Sequence, residues 1–274
     1  MVRALLIVTG FLFAARPGTA QQSYYLGSDL SYVNQMEDCG AVYREDGVPK
    51  DPYQIFADQG TNVVRLRLWV DPSWQNSLSQ PAGVKDQYSD FEDVREAIQR
   101  SKDAGMQVLL DFHYSDFWAD PGRQVIPARW ASVGYDTQAL SDSVYQYTHR
   151  TLTRLDAEGL MPELVQVGNE TNPGMLLYLG MNSQYEGTGF VSGDWDRQAS
   201  LFNAGIRAVR EAGAASSIDP KIVIHFANPA GVVDRVRRLQ NHGITDFDII
   251  GLSFYYTWHG HTVSLASAYV RGIG

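Results

Sequence analysis

The segment 165–173 places a carboxylic acid where it can take part in acid–base chemistry. It is an apolar, β-type run that ends abruptly in Asn169 and Glu170, with Pro173 close behind. Glycoside hydrolysis needs a proton for the departing oxygen, and a carboxyl group supplies it near neutral pH when its pKa is raised. A neighbouring amide such as Asn169 can hydrogen-bond a sugar hydroxyl beside the scissile bond. The competing interpretation is that Glu170 only caps a helix or ends a strand in solvent.

A second stretch with dense chemistry covers residues 111–118. Asp111 and His113 lie two residues apart, and therefore on one face of a strand. This spacing fits two metal ligands, but the sequence has no second pair of that kind, and His225 stands alone. We therefore favour a different role, in which His113 hydrogen-bonds substrate or an active-site carboxylate. Trp118 is expected to form a stacking wall in the following loop.

Two arginines, Arg65 and Arg67, share one face of the apolar segment 62–69. Arg67 lies nearer the carboxyl end, where a cation can hold an active-site carboxylate ionised and oriented. Because an unpaired buried charge is costly, we expect both arginines to be paired. Asp111 is expected to be the structural partner of one of them.

These residues are carried by apolar segments that alternate with helical ones. The sequence predicts six strands, at 24–31, 62–69, 106–113, 163–168, 221–227 and 247–256. The spacing of apolar residues and the glycine stops predict helices at 51–59, 91–104, 137–158, 197–211, 232–241 and 262–270. This alternation indicates an α/β fold with a parallel sheet. A dinucleotide-binding sheet is not favoured, because no GxGxxG follows the first strand.

Polar and aromatic residues gather at the ends of the predicted strands. They are Asp29, Arg67, His113, Glu170, His225 and Tyr255. Since a (β/α)₈ TIM barrel keeps its active site at that end of its strands, the pattern predicts such a barrel. About six βα units are visible, so we expect residues 21–274 to be a single barrel domain that lacks its C-terminal strands. The alternative is an open sheet of six strands, which would leave strand edges exposed.

Charge and the N-terminal segment bear on where the protein acts. The net charge is −9, which argues against a nucleic-acid surface. Residues 1–20 have the pattern of a signal peptide, with Arg3, an apolar core too short to cross a membrane, and small residues before a cleavage site at Ala20. We therefore expect a secreted protein, extracellular or periplasmic. Cys39 is the only cysteine, allows no internal disulfide, and is expected to be partly buried.

The motifs together resemble those of the arabinogalactan endo-β-1,4-galactanases, glycoside hydrolase family 53, within the clan of retaining (β/α)₈ glycosidases. The resemblance runs from about residue 27 to residue 260. Its most specific stretches are 64–69, 110–122, 166–172, 251–255 and 258–260. It implies endo-hydrolysis of β-1,4-galactosidic linkages in arabinogalactan or pectic galactan, with retention of configuration.

The resemblance also implies roles for single residues. Glu170 matches the acid/base of the family, and Asn169 matches its sugar-binding neighbour. Further candidates for substrate binding or active-site support are Arg67, His113, Trp118, His225, Tyr255 and Asp29. We expect a polysaccharide substrate, β-1,4-galactan, and a monomer without cofactor, metal, nucleic-acid or membrane partner.

The sequence departs from the family pattern at two points. The family often has Pro after its tyrosine pair, where this chain has Tyr256 and Thr257 before Trp258. The nucleophile of the family is a glutamate on the seventh strand, and no residue of this sequence matches it. We therefore assign no nucleophile. The alternative function is a non-catalytic galactan binder or an inert fragment.

Overall fold

The computed structural model describes residues 24–79, 84–179 and 193–273. The predicted signal peptide at 1–20 lies outside them. In the described part of the chain one six-stranded sheet forms, and its strands follow each other in chain order, each parallel to the next. The strands are β1 (Gly27–Asp29), β2 (Val63–Leu68), β3 (Gln107–Phe112), β4 (Leu164–Val167), β5 (Lys221–Ala227) and β6 (Ile249–Ser253).

Helices connect the strands and flank the sheet. They are α1 (Val33–Asp38), α2 (Pro52–Asp58), α3 (Phe91–Asp103), α4 (Thr137–Ala157), α5 (Trp195–Ala214), α6 (Val232–Asn241), α7 (Tyr256–His259) and α8 (Val263–Arg271). Five of them begin at a side chain that accepts a hydrogen bond from a first-turn N–H, which satisfies a donor that the helix itself leaves free. These caps are Asp51, Asp90, Asp136, Asp194 and Thr262.

The core forms because the central strands are covered on both faces. Leu66, Leu110 and Val165 are at most 1% exposed, as expected for buried parallel strands. Helix α5 approaches the sheet closely at Gly205, where an added Cβ would lie 2.9 Å from Val167 Cγ1. Strands β1 and β6 lie at the two ends of the sheet, and all five residues of β6 are half-buried.

The predicted α/β architecture is confirmed, with all six strands and all six predicted helices present. The last strand was predicted too long, since β6 ends at Ser253 and Tyr256 begins α7. The chain turns there because the Tyr255 N–H donates to His259 Nδ1 over 3.0 Å. Helix α1 was not predicted, and Cys39 at its end is exposed rather than partly buried.

Among the described residues, no helix is both long and apolar enough to cross a membrane. The helices that flank the sheet carry charged side chains on their outer faces, and many of these pair with each other at the surface.

Candidate active site

A cavity of about 380 Å³ opens at the carboxyl end of the sheet. Residues that lie in or after each of the six strands line it, as expected for a parallel sheet with its site at one end. They are Asp29, Arg65, Trp118, Ala119, Asp120, Asn169, Glu170, His225, Ser253, Tyr255 and Trp258. The cavity therefore combines three carboxyl groups with a cation and several aromatic rings.

Glu170 reaches this cavity on a tight turn directly after β4. The backbone is left-handed at Gly168, with φ of 82°, and again at Glu170, with φ of 48°. A non-glycine residue in this region is uncommon and costs free energy, so its surroundings must hold it. Here the Glu170 N–H lies 3.2 Å from His225 Nδ1, and the Thr171 N–H donates to the His225 carbonyl over 2.9 Å.

The turn is also fixed to β5 by the side chain of Asn172. Its Nδ2 donates to the Ala227 carbonyl over 2.8 Å, and its Oδ1 accepts from the Ala227 N–H over 2.7 Å. An amide side chain that pairs with both backbone groups of one residue acts as a short extension of the ladder. The orientation of Glu170 is therefore set by β5 as well as by its own strand.

The surroundings of Glu170 favour its protonated form. Burial raises the pKa of the Glu170 carboxyl, and the nearby Asp120 carboxylate adds to this. A hydrogen bond from Ser253 and the charges of Arg65 and His259 lower the pKa, but the net shift is upward. A carboxyl of this kind is suited to proton donation closer to neutral pH than an exposed glutamate.

Asn169 is held rigidly beside the acid. Its Oδ1 accepts from Arg65 over 2.8 Å, and its Nδ2 donates to the Ala119 carbonyl over 2.7 Å. The same Arg65 guanidinium donates to Asp29 over 2.8 Å and to Asp111 over 2.5 Å. The Arg65 guanidinium therefore links the carboxyl ends of β1, β3 and β4. It also fixes the orientation of the Asn169 amide, with Oδ1 toward Arg65.

Asp111 is a fully buried carboxylate behind the cavity floor. Burial opposes its ionisation, but the charge of Arg65 and the hydrogen bond from His113 hold the pKa of Asp111 below its ordinary value. His113 Nε2 lies 2.9 Å from Asp111 Oδ2, while His113 Nδ1 accepts from the Ala119 N–H over 3.0 Å. Burial lowers the pKa of His113 and favours the neutral ring, and because Nδ1 accepts, the proton of that ring is on Nε2, beside Asp111. Gln166 Nε2 completes the shell, 2.5 Å from Asp111 Oδ1.

The Arg67 guanidinium lies in an aromatic cage and does not line the cavity. Its Cζ is 4.4 Å from the ring centre of Tyr32, 4.1 Å from Trp118 and 4.9 Å from Trp69. Arg67 is 1% exposed, and such cation–π contacts offset part of the cost of burying its charge. The contact with a cavity carboxylate that we expected of Arg67 is made by Arg65.

Aromatic rings line the cavity after two different strands, β3 and β6. Trp118 packs edge-on against Trp69, with ring centres 6.4 Å apart. After β6, Tyr255 and Trp258 lie with ring centres 5.2 Å apart and are 51% and 81% exposed. Exposed flat rings beside a polar cleft can stack on the apolar faces of sugar rings.

Residues 25–271 match the sequence profile of glycosyl hydrolase family 53. The chain belongs to this family. It is 42% identical over 268 residues to an arabinogalactan endo-beta-1,4-galactanase of Cellvibrio japonicus, covering 96% of this chain and 66% of the relative. It is 33% identical to an endo-beta-1,4-galactanase of Bacillus subtilis, covering 93% and 55%. The chain thus spans between about half and two thirds of the length of these relatives.

Solved structures of the same family share the fold. The glycosyl hydrolase family 53 catalytic domain of Ignisphaera aggregans superposes with a TM-score of 0.76 at 32% identity, covering 90% of this chain and 63% of that one. A structure from a study of two fungal beta-1,4-galactanases gives 0.69 at 32% identity, covering 84% and 64%. The six parallel strands and their helices are therefore the α/β arrangement of a TIM barrel, as predicted.

For this family 53 chain, the structure brings together most of the residues singled out from the sequence. Asp29, Trp118, Asn169, Glu170, His225 and Tyr255 all line the cavity. Arg67 and His113 lie behind it, against Trp118 and Asp111. No group of three or more His, Cys, Asp or Glu side chains suited to hold a metal ion occurs within the ranges described.

Five cavity residues, Ala119 among them, were not site candidates from the sequence. Asp120, Ser253 and Trp258 fall in the stretches that carry the family resemblance, so their position in those stretches was an available signal. Arg65 was considered as one of two possible partners of Asp111, but the role beside the active-site carboxylate was assigned to Arg67. Strand periodicity alone does not separate two arginines that share a face.

Proposed function

We propose that the protein is a retaining endo-β-1,4-galactanase that cleaves arabinogalactan and pectic galactan, and that Glu170 is its acid/base. The observation that carries this proposal is the placement of Glu170, half-buried in the cavity with a raised pKa, beside a rigidly held amide. The names of the relatives support the substrate, and membership of a glycosyl hydrolase family favours hydrolysis over galactan binding alone.

In this proposal Glu170 protonates the glycosidic oxygen as it leaves, and its carboxylate then takes a proton from the attacking water. Asn169 lines the cavity, and its side-chain amide hydrogen-bonds a sugar hydroxyl next to the scissile bond. Trp118 and Tyr255 stack on sugar rings. Arg67 and His113 support the site indirectly, because Arg67 packs under Trp118 and His113 holds Asp111.

Retention of configuration also needs a nucleophilic carboxylate about 5 to 5.5 Å from the acid. Besides Glu170, the carboxylates in the cavity lining are Asp29 and Asp120. Asp29 already accepts hydrogen bonds from Arg65 and from the Ser31 hydroxyl, and Asp120 accepts from the Gly122 N–H. We assign the nucleophile to neither of them.

The remaining parts of the proposal concern the whole protein. We propose that residues 21–274 belong to a single barrel domain, that residues 1–20 direct secretion, and that the protein acts as a monomer on a neutral polysaccharide. The signal-peptide pattern and the net charge of −9 support this setting. Peptide sequencing of the secreted protein tests the cleavage at Ala20, and a mature N-terminus upstream of it would contradict the assignment.

The test of function is hydrolysis of β-1,4-galactan, measured as new reducing ends and compared with mannan and cellulose. Equal or greater activity on mannan or cellulose would contradict the substrate assignment. Glu170→Gln should lower kcat about 10²- to 10⁴-fold on galactan, as expected for the loss of a general acid. The control is Glu158→Gln, an exposed glutamate paired with Arg95, which should retain full activity.

A second substrate identifies the role of the acid. On an aryl β-galactobioside with a nitrophenolate leaving group, the first step needs no protonation, so Glu170→Gln should lose far less in that step than on galactan. External azide should then speed turnover by replacing the water that Glu170 activates. An equal loss on both substrates, without a response to azide, would exclude Glu170 as the acid/base.

A further inference from the structure

Ser253 joins the acid to the neighbouring histidine. It ends β6, in register with Ala227 of β5, and its Oγ lies 3.1 Å from His225 Nε2. Ser253 and Glu170 both line the cavity, and the Ser253 hydroxyl lowers the pKa of the Glu170 carboxyl. His225 is buried and its other ring nitrogen faces the Glu170 backbone. His225 therefore contacts Glu170 directly at its backbone, and it also holds the Ser253 hydroxyl in the same cavity.

The direction of these hydrogen bonds can be worked out from the group that can only donate. The Glu170 N–H can only donate, and it lies 3.2 Å from His225 Nδ1. His225 is neutral, since burial and the charge of Arg65 lower its pKa to about 4. If Nδ1 accepts, the proton of the ring is on Nε2 and is donated to Ser253 Oγ. The hydrogen of the Ser253 hydroxyl is then left for Glu170.

A second contact of the His225 ring favours the other tautomer, in which Nδ1 carries the proton. Asn169 Oδ1 lies 2.8 Å from the same Nδ1, which is attractive only when Nδ1 carries the proton. In that tautomer Ser253 would donate to Nε2 and have no hydrogen for Glu170. Hydrogen bonds to an ionised carboxylate are roughly twice as strong as those between neutral groups, which favours the Nε2–H tautomer once Glu170 is ionised.

We propose that Ser253 is a positioning residue for the acid: held by His225 Nε2–H, it donates its hydroxyl hydrogen to the ionised Glu170 carboxylate. This deepens the proposed function, because it rests on Glu170 being the acid/base. The donated hydrogen bond steadies the carboxylate after its proton has left with the departing oxygen. It also fixes one carboxyl oxygen, so that the other faces the cavity.

Charged groups face Glu170 from several other elements. Asp120 stands in the loop after β3, Arg65 projects from β2, and His259 belongs to α7. Replacing Ser253 changes the charge of none of them. A change in the pKa of Glu170 after substitution of Ser253 therefore reports the lost hydroxyl rather than a new electrostatic field.

The experiment is a titration of the full chain labelled with ¹³C at the glutamate carboxyls, with Glu170→Gln used to assign the signal of Glu170. In Ser253→Ala the pKa of Glu170 should rise by about one pH unit, the size expected from losing a hydrogen bond to a charged group. Ser253→Thr keeps the hydroxyl on a strand residue and should leave the pKa unchanged. The ¹⁵N signals of His225 should show the Nε2–H tautomer above the pKa of Glu170.

An unchanged or lowered pKa in Ser253→Ala, or an Nδ1–H tautomer of His225, would overturn the proposal. The titration needs no turnover, so it tests the role of Ser253 even if galactan is not hydrolysed. Where galactan is hydrolysed, the alkaline limb of the kcat/KM profile should move upward in Ser253→Ala by the same amount. Activity on galactan with an unshifted pKa would leave the proposed function standing and reject the role of Ser253.

Discussion

Arg65 is the residue whose removal should disturb the site most deeply. Its guanidinium bonds Asp29, Asp111 and Asn169, and Asp111 has no exposed side-chain surface. In Arg65→Met the aliphatic stem is kept, but the buried Asp111 charge loses its strongest partner. Removing one member of a buried ion pair typically costs about 3 to 5 kcal/mol of stability. We therefore expect the free energy of unfolding to fall by about that amount at neutral pH.

The loss should depend on pH with a defined sign. In the native protein the pKa of Asp111 is held below that of the unfolded chain, so its contribution is fully present above the unfolded value near 3.9 and is lost as pH falls through the folded pKa. Without Arg65, burial is opposed by one cation fewer and the pKa of Asp111 rises. The difference between Arg65→Met and the parent should therefore shrink as pH falls and Asp111 becomes neutral.

Urea unfolding of both proteins at neutral and acidic pH measures this difference. The matched control is Arg237→Met, which breaks an exposed pair with Asp234 and should cost at most about 1 kcal/mol. Asp111→Asn in the Arg65→Met background removes the stranded charge and should recover part of the loss. If Arg65→Met costs no more than Arg237→Met, or if its cost grows toward acid, the reasoning is refuted.

Two further predictions concern the hydrogen bonds that hold the turn at Glu170 and the packing of the core. Asn172→Ala removes both hydrogen bonds to Ala227, and it should lower the free energy of unfolding in urea by about 1 to 3 kcal/mol. An unchanged unfolding midpoint would show that these hydrogen bonds do not stabilise the turn. Gly205→Ala gains helix propensity, but its Cβ would lie 2.9 Å from Val167 Cγ1 and 3.0 Å from the Tyr114 hydroxyl, so we expect a net loss of about 1 kcal/mol. A higher unfolding midpoint in Gly205→Ala would contradict that expectation.

The strands were predictable because local patterns determine them. A strand buried on both faces must be mostly apolar, and segments such as 62–69 and 106–113 show this in the sequence, interrupted mainly by the charged and polar residues of the site. Glu170 stood out for the same reason, as a carboxylate placed immediately after such a run. The end of β6 was predicted too long because Tyr255 and Tyr256 suit a strand, while the contact with His259 turns the chain.

The sequence by itself determined the α/β architecture and the family, and it singled out Glu170 as the candidate acid, since each of these depends on residue types and spacings along the chain. Only the tertiary structure decided which arginine serves the cavity. Register places Arg67 beside Asp111, yet Arg65 makes the ion pair because the aromatic rings of Tyr32 and Trp118 enclose the Arg67 guanidinium. A long side chain can reach several partners that are distant in sequence. Which partner it contacts depends on burial and ring packing, and these exist only once the strands have come together.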